Sequence, residues 1–169
     1  MQDLDGQYET RQSPQFIFSR SAMLHGSTIK RVSSADDRRC CLEIRHEVFT
    51  IEQGFPAAAE NDIFDEISLH VLARCGGRFV GTASAVVSPC RSMVLIGLVA
   101  VIKSQRGRGF GSRLIRALEL APEFISIDTF VLDAESSARS FYERLGYVAF
   151  GSPFKDRGIS QRCMRKVRL

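Results

Sequence analysis

The residues best equipped for chemistry lie together at positions 99–112: Val99-Ala100-Val101-Ile102-Lys103-Ser104-Gln105-Arg106-Gly107-Arg108-Gly109-Phe110-Gly111-Ser112. An apolar run enters a basic, glycine-rich turn and then opens into a helical pattern. Gly107, Gly109 and Gly111 let the backbone bend tightly and approach a ligand with no Cβ in the way. The first N–H groups of a helix lack intrahelical partners, and the helix dipole adds positive potential there. Such a turn receives phosphate, and Arg106 and Arg108 add charge to it. Two other phosphate loops are excluded. No G-x-x-x-x-G-K-[ST] run exists, and a G-x-G-x-x-G fingerprint starting at Gly107 fails because its last position is Ser112.

Arg106-x-x-Gly109-x-Gly111 resembles the [QR]-x-x-G-x-[GA] signature of the GNAT superfamily of N-acetyltransferases. Ala138-Arg139-Ser140-Phe141-Tyr142-Glu143-Arg144-Leu145-Gly146-Tyr147 resembles the same family's A-x-x-[FL]-Y-x-x-x-G-[FY] segment. Upstream, Arg45-His46-Glu47-Val48-Phe49-Thr50-Ile51-Glu52-Gln53 is similar to the R-x-x-V-F-x-x-E-Q run of one bacterial-type subgroup. Gly151-x-x-Phe154 and Gly158-Ile159-x-x-x-x-Met164 are similar to that subgroup's tail. The three motifs occur in the family's order, and the resemblance spans residues 28–169.

This resemblance implies that acetyl-coenzyme A is the cosubstrate, with no metal. Its pyrophosphate would lie on the main-chain amides of Gly107, Arg108, Gly109, Phe110, Gly111 and Ser112, beside Arg106. The strand before the turn would splay from its neighbour and offer Leu98, Val99 and Val101 to the pantetheine arm, with a main-chain N–H near Val99 as oxyanion donor. Phe141 is counted with the coenzyme site. Tyr142 matches the family's tyrosine acid, and a phenol with a pKa of about 10 stays protonated at neutral pH; a core aromatic is the competing reading.

The base is less clearly marked, because Met93–Leu98 holds no titratable residue where many relatives carry a glutamate. Glu52, Asp65, Glu66 and His70 are the candidates. Glu52 follows the first helix, where this family builds its acceptor pocket, although a helix-end salt bridge explains it equally well. His70 has a suitable unperturbed pKa, although a structural histidine is as good an account. Three positions depart from the family pattern. Glu135 stands where an asparagine or glutamine often touches the coenzyme, Leu98 where a polar residue is common, and Gln161 where the subgroup has histidine.

The elements that must hold these residues follow from hydrophobic periodicity. Thr28–Val32 reads as a strand and Ser33 or Ser34 as a helix cap. Cys41, Ile44, Val48 and Phe49 form a buried helical stripe that Gln53-Gly54-Phe55-Pro56 ends. The acidic run from Glu60 to Glu66 reads as a loop or short helix. Residues 70–73 and 79–87 flank Gly76-Gly77, a hairpin signal. Met93–Ile102 is nearly all apolar, as in a strand covered on both faces. A helix from Gly109 carries Leu114, Ile115 and Leu118, with Pro122 beyond its end. Residues 129–132 form a buried strand. Ser136 or Ser137 caps a helix through Leu145, closed by Gly146, and residues 147–150 and 163–167 read as the last strands. The class is α/β: a mixed, mostly antiparallel GNAT-like sheet flanked by helices, with splayed central strands.

Composition sets the outer limits. The 169 residues are 44% hydrophobic and 25% charged, as in one ordinary globular domain. The expected division is a flexible extension over residues 1–26 and a catalytic domain over 27–169. No apolar stretch nears the roughly 20 residues of a membrane-spanning helix, and no membrane partner is expected. Five cysteines, none in C-x-x-C spacing, read as reduced thiols and point to a cytoplasmic location. The net charge of +4 gathers partly near the C-terminus, where Lys155, Arg157, Arg162, Arg165, Lys166 and Arg168 face only Asp156. That tilts the acceptor toward acidic or phosphorylated amines. No RNA-binding or zinc framework accompanies it, so nucleic acid is not an expected partner.

The resulting expectation is an acetyl-coenzyme A-dependent N-acetyltransferase, a monomer or homodimer. It would act on a primary amine of a small molecule or peptide by aminolysis of the thioester. A coenzyme-binding regulatory domain without catalysis is the first alternative, favoured by the missing strand glutamate and opposed by Tyr142. An acyl synthase of the autoinducer type is the second, opposed by the absence of tryptophan.

Overall fold

The computed structural model of the chain describes residues 26–57 and 63–168. Apart from Gly26, the expected N-terminal extension lies outside them. Helix α1 (Ala35–Arg45) starts where Ser34 leaves extended backbone and its hydroxyl accepts the Asp37 N–H at 3.1 Å. Such a cap is worth about 1 kcal/mol. Cys41, Ile44 and Val48 share one buried side, as their spacing predicts. Past Arg45 the helix widens to π geometry over His46–Glu52 and stops at Gln53, a local widening often found beside functional sites.

Eight strands form one sheet: β1 (Thr28–Arg31), β2 (Leu69–Cys75), β3 (Arg78–Val87), β4 (Val94–Val101), β5 (Thr129–Glu135), β6 (Val148–Ala149), β7 (Phe154–Asp156) and β8 (Ile159–Val167). The spatial order is β1-β2-β3-β4-β5-β8-β6, with β7 also pairing β8. Every pairing is antiparallel except β4 with β5. Gly76 and Gly77, at φ 54° and 84°, turn the β2–β3 hairpin. The remaining helices are α2 (Phe110–Glu119) and α3 (Arg139–Arg144).

Strand alternation gives the sheet two apolar faces. Val71, Ala73, Val80, Ala83, Val94 and Ile96 meet Phe110, Leu114, Ile115 and Leu118 of α2. Leu72 and Ala100, on the other face, meet Cys41, Ile44 and Val48 of α1. Leu114, Ile115 and Leu118 are wholly buried, each contributing about 2 kcal/mol of transfer free energy. The mixed, mostly antiparallel sheet between helices is the architecture expected from the residues.

Four expectations change. The apolar run of β4 is not covered on both faces: Val94, Ile96 and Ala100 are buried, whereas Leu95, Gly97, Leu98, Val99 and Val101 are half-buried along a cavity. Ser136 and Ser137 do not cap α3. The Ser136 hydroxyl donates to the Ser160 carbonyl at 3.1 Å, and a short 3-10 turn leads into the helix. Strand β7 was not foreseen, because Phe154–Asp156 is short and has no alternation.

Two of the C-terminal basic residues, finally, are engaged within the fold. Lys166 donates to Glu119 Oε2 at 2.8 Å, and Arg168 donates to the carbonyls of Glu119, Phe124, Ile125 and Ile127 at 2.8–3.0 Å. Lys166 and Arg168 clamp the end of α2 to β8, so these two are not available to an acidic acceptor. Glu119 is itself buried and accepts the Tyr147 hydroxyl at 2.8 Å. Glu119→Ala leaves that buried hydroxyl without its acceptor and is expected to cost about 2 kcal/mol. Urea unfolding should show a lower midpoint at unchanged slope.

Candidate active site

The parallel strands β4 and β5 pair only at Val94–Phe130 and Leu95–Val131. Beyond Leu95 they part, and β4 leaves its β5-facing edge without a strand partner. On its other side β4 carries a bulge: Ala100 pairs Thr82 and Gly97 pairs Ser84, so Leu98 and Val99 together oppose Ala83. Leu98 takes φ +49° there, a left-handed conformation that costs a side-chain-bearing residue about 1–2 kcal/mol. The parting opens a cavity of about 690 Å3, within the size range of small-molecule sites. Its walls are β4 from Leu95 to Val101, β5 from Val131 to Glu135, the aromatics Phe49, Phe55 and Phe64, and Tyr142.

The glycine-rich turn closes the strand end. Gly107 and Gly109 have φ 73° and 80°, and a Cβ on either would meet open space. Their glycine requirement is therefore conformational. Gly109 is the N-cap of α2, and the Arg113 N–H makes a 3.1 Å bond to the Gly109 carbonyl. The N–H groups of Phe110, Gly111 and Ser112 precede that bond at the positive end of the dipole. Gly111 has a different reason to be glycine: a Cβ there would sit 3.0 Å from the Phe141 ring. The Phe110 side chain belongs to the core, so only its main chain faces outward. Phe141 braces α2 and packs edge-on against Tyr142, 4.8 Å between centroids.

Arg106 turns back along the cavity rather than out over the turn. Its Nε donates to the Val101 carbonyl at 2.9 Å, and its two terminal nitrogens donate to Glu52 at 2.6 Å each. Glu52 is thus held by a bidentate partner, and Arg106 keeps its carboxyl below the usual carboxylate range. That suits a strut between the end of α1 and the turn and is the opposite of what a general base needs. Arg108, by contrast, is bonded to the nearby Gln105 side chain.

His70 does not reach the cavity. It lies on the α1 face of β2, buried beside Arg45 and Asp65. Arg45 donates to Nδ1 at 2.9 Å, and Nε2 is 2.7 Å from the Asp65 carbonyl, so the neutral ring with its proton on Nε2 satisfies both contacts. Burial pushes its pKa down. Asp65 also receives Arg45 at 2.7 Å and Arg38 at 3.2 Å. This cluster locks α1 to the sheet, and Glu66 is exposed beside it. A histidine held neutral in the fold but free to charge when unfolded makes stability fall as pH drops below about 6.5. Between pH 7 and 5.5 the slope should stay under about 1.4 kcal/mol per pH unit. Denaturant titrations should show it, and it should flatten in His70→Asn.

Tyr142 is 8% exposed and lines the cavity, and its hydroxyl makes no hydrogen bond among the described residues. Burial, with the charge of Glu135, pushes its pKa well above the ordinary phenol value. Glu135 lines the cavity two residues from Asp133 on the same face of β5. Asp133 was not among the residues singled out from sequence. Its signal was alternation: Phe130, Leu132 and Ala134 are buried, which turns Asp133 and Glu135 to the opposite side. The Cys163 thiol donates to Asp133 at 2.8 Å, and that carboxylate pushes the thiol up to about 11.

Comparison with known proteins agrees with this geometry. The family model of the acetyltransferase (GNAT) domain matches residues 31–168. A Bacillus subtilis protein named as an acetyltransferase is 33% identical over 141 residues, covering 82% of this chain and 95% of its own. Among solved structures, Escherichia coli ElaA superposes with a TM-score of 0.72 at 22% identity, over 83% of this chain and 99% of its own. An aminoglycoside 6′-N-acetyltransferase solved with coenzyme A superposes with a TM-score of 0.67 at 15% identity, over 83% and 96%.

Proposed function

The chain belongs to the GNAT family of acetyltransferases, and from that premise we propose that it transfers the acetyl group of acetyl-coenzyme A to a primary amine by direct aminolysis. One observation carries the reading: the β4–β5 split opens a cavity with the glycine-rich turn at the strand end and, in its wall, Tyr142, whose hydroxyl has no hydrogen-bond partner among the described residues. A peptide-like pantetheine arm suits the unpaired edge of β4, and a diphosphate suits the amides of Gly107 through Ser112. The structural neighbour solved with coenzyme A supports the choice of donor.

In this mechanism a neutral amine nitrogen attacks the acetyl carbon. The C–N bond forms as the C–S bond breaks. A main-chain N–H at Val99, on the bulge, faces the developing oxyanion, an interaction typically worth about 3 kcal/mol. Tyr142, protonated at every working pH, gives its proton to the departing sulfur, the amine's surplus proton leaves to solvent, and the phenol regains a proton from solvent before the next turnover. The Glu52–Arg106 pair fixes the π segment that follows α1, which carries Phe49, against the turn. His70 acts only through the fold.

Calorimetric titration with coenzyme A, followed by thiol release from acetyl-coenzyme A with an amine panel, tests the proposal. Saturable 1:1 binding and amine-dependent thiol release are expected. Absence of coenzyme binding would contradict it.

A further inference from the structure

The charged lining of the cavity has one dominant sign. Its charged lining consists of Asp133, Glu135, Asp156, Arg106 and Arg157. Arg106 is already neutralised by Glu52, which leaves three carboxylates against Arg157 alone. The cavity is therefore acidic inside a protein of net charge +4. Continuing the β4–β5 register by two residues sets Asp133 across the split from Gly97, where the strands have parted. Glu135, two residues on, lines the same cavity as Tyr142, whose hydroxyl has no partner among the described residues. Phe49, Phe55 and Phe64 supply an apolar wall nearby.

Cysteine 163 adds a further detail. Its protonated thiol donates to one oxygen of Asp133 and so orients the carboxylate while leaving the other oxygen for a ligand. Carboxylates at a cavity wall attract ammonium groups and repel carboxylates or phosphates, and the attraction grows where water is thinned. Aromatic faces accept methylene chains and ammonium groups alike.

We propose that the acceptor is an alkyl diamine or polyamine whose far, non-reacting ammonium group is received by Asp133 and Glu135 while its methylene chain lies on Phe49, Phe55 and Phe64 and its near nitrogen, as the neutral amine, attacks the thioester. The proposal deepens the acetyl-transfer reading and rests on it. It excludes the acidic or phosphorylated amines toward which net charge alone had pointed.

Three amines sharing a four-carbon chain separate the possibilities: 1,4-diaminobutane, butylamine and 4-aminobutanoate. With the full chain and saturating acetyl-coenzyme A, kcat/KM should be about 10-fold higher for the diamine than for butylamine, and lowest for 4-aminobutanoate. Asp133→Asn keeps an oxygen for the Cys163 thiol but loses the charge. It should cut the diamine-over-butylamine ratio of kcat/KM about 10-fold. Glu135→Gln should reduce the preference for the diamine in the same way. Equal or better use of butylamine or 4-aminobutanoate would overturn this inference while acetyl transfer stood. So would coenzyme binding with no turnover of any of the three, or an unaltered amine preference in both variants. Failure to bind coenzyme A would overturn the acetyl-transfer reading instead.

Discussion

Gly109→Asp is expected to lose coenzyme A binding while the domain stays folded. Gly109 has φ +80° at the N-cap of α2, with no atom within 4 Å of where a Cβ would stand. An added Cβ therefore meets no described residue beyond its chain neighbours, and the cost to the fold is the left-handed backbone, about 1–2 kcal/mol. The ligand meets a different situation. A carboxylate would stand where the α2 amides present their positive end to a diphosphate. At about 5 Å and an effective dielectric near 20, each unit of phosphate charge is opposed by on the order of 3 kcal/mol. Affinity should fall by more than about 100-fold. Gly109→Asn has nearly the same shape and tolerance of positive φ, so its smaller loss would isolate the charge. Calorimetry on both variants, with thermal unfolding as the folding control, makes the measurement.

Tyr142→Phe should lower turnover about 100-fold, the lower end of what a positioned acid supplies, while coenzyme A affinity changes little. The two side chains differ by one hydroxyl that makes no hydrogen bond among the described residues, so removing it leaves no orphaned partner. The edge-on contacts of the ring with Phe141 and Tyr147, at 4.8 and 6.0 Å between centroids, are retained. Single-turnover kinetics with a saturating amine would separate the chemical step from product release. Wild-type turnover in this variant would remove Tyr142 from the mechanism and leave the thiolate to be protonated by water.

What could be read from the residues alone was what local physics decides. Gly107 and Gly109 announced a left-handed turn before a helix, because few other residues adopt that backbone. The stripe of Cys41, Ile44 and Val48 announced a buried helix face, and Gly76-Gly77 a hairpin. What stayed hidden depended on partners far away in the chain. Glu52 and Arg106 stand 54 residues apart yet form a bidentate pair, so neither the strut nor its effect on Glu52 was visible. His70 looked like a base by its type alone, but its neighbours Arg45 and Asp65 come from α1 and a loop. Within the basic C-terminus, Lys166 and Arg168 meet a carboxylate and carbonyls at the end of α2, contacts that no local pattern marks. Asp133 follows the apolar half of β5 and belongs to no motif, and its place in the cavity depends on β4 having turned away.

Coenzyme A bound to the crystallised protein bears most directly on the central claim. The diphosphate should lie within hydrogen-bonding reach of the main-chain amides between Gly107 and Ser112, with the pantetheine arm in the β4–β5 split and the sulfur beside the Tyr142 hydroxyl. A diphosphate seated elsewhere, with the split filled by the protein's own side chains, would contradict the account.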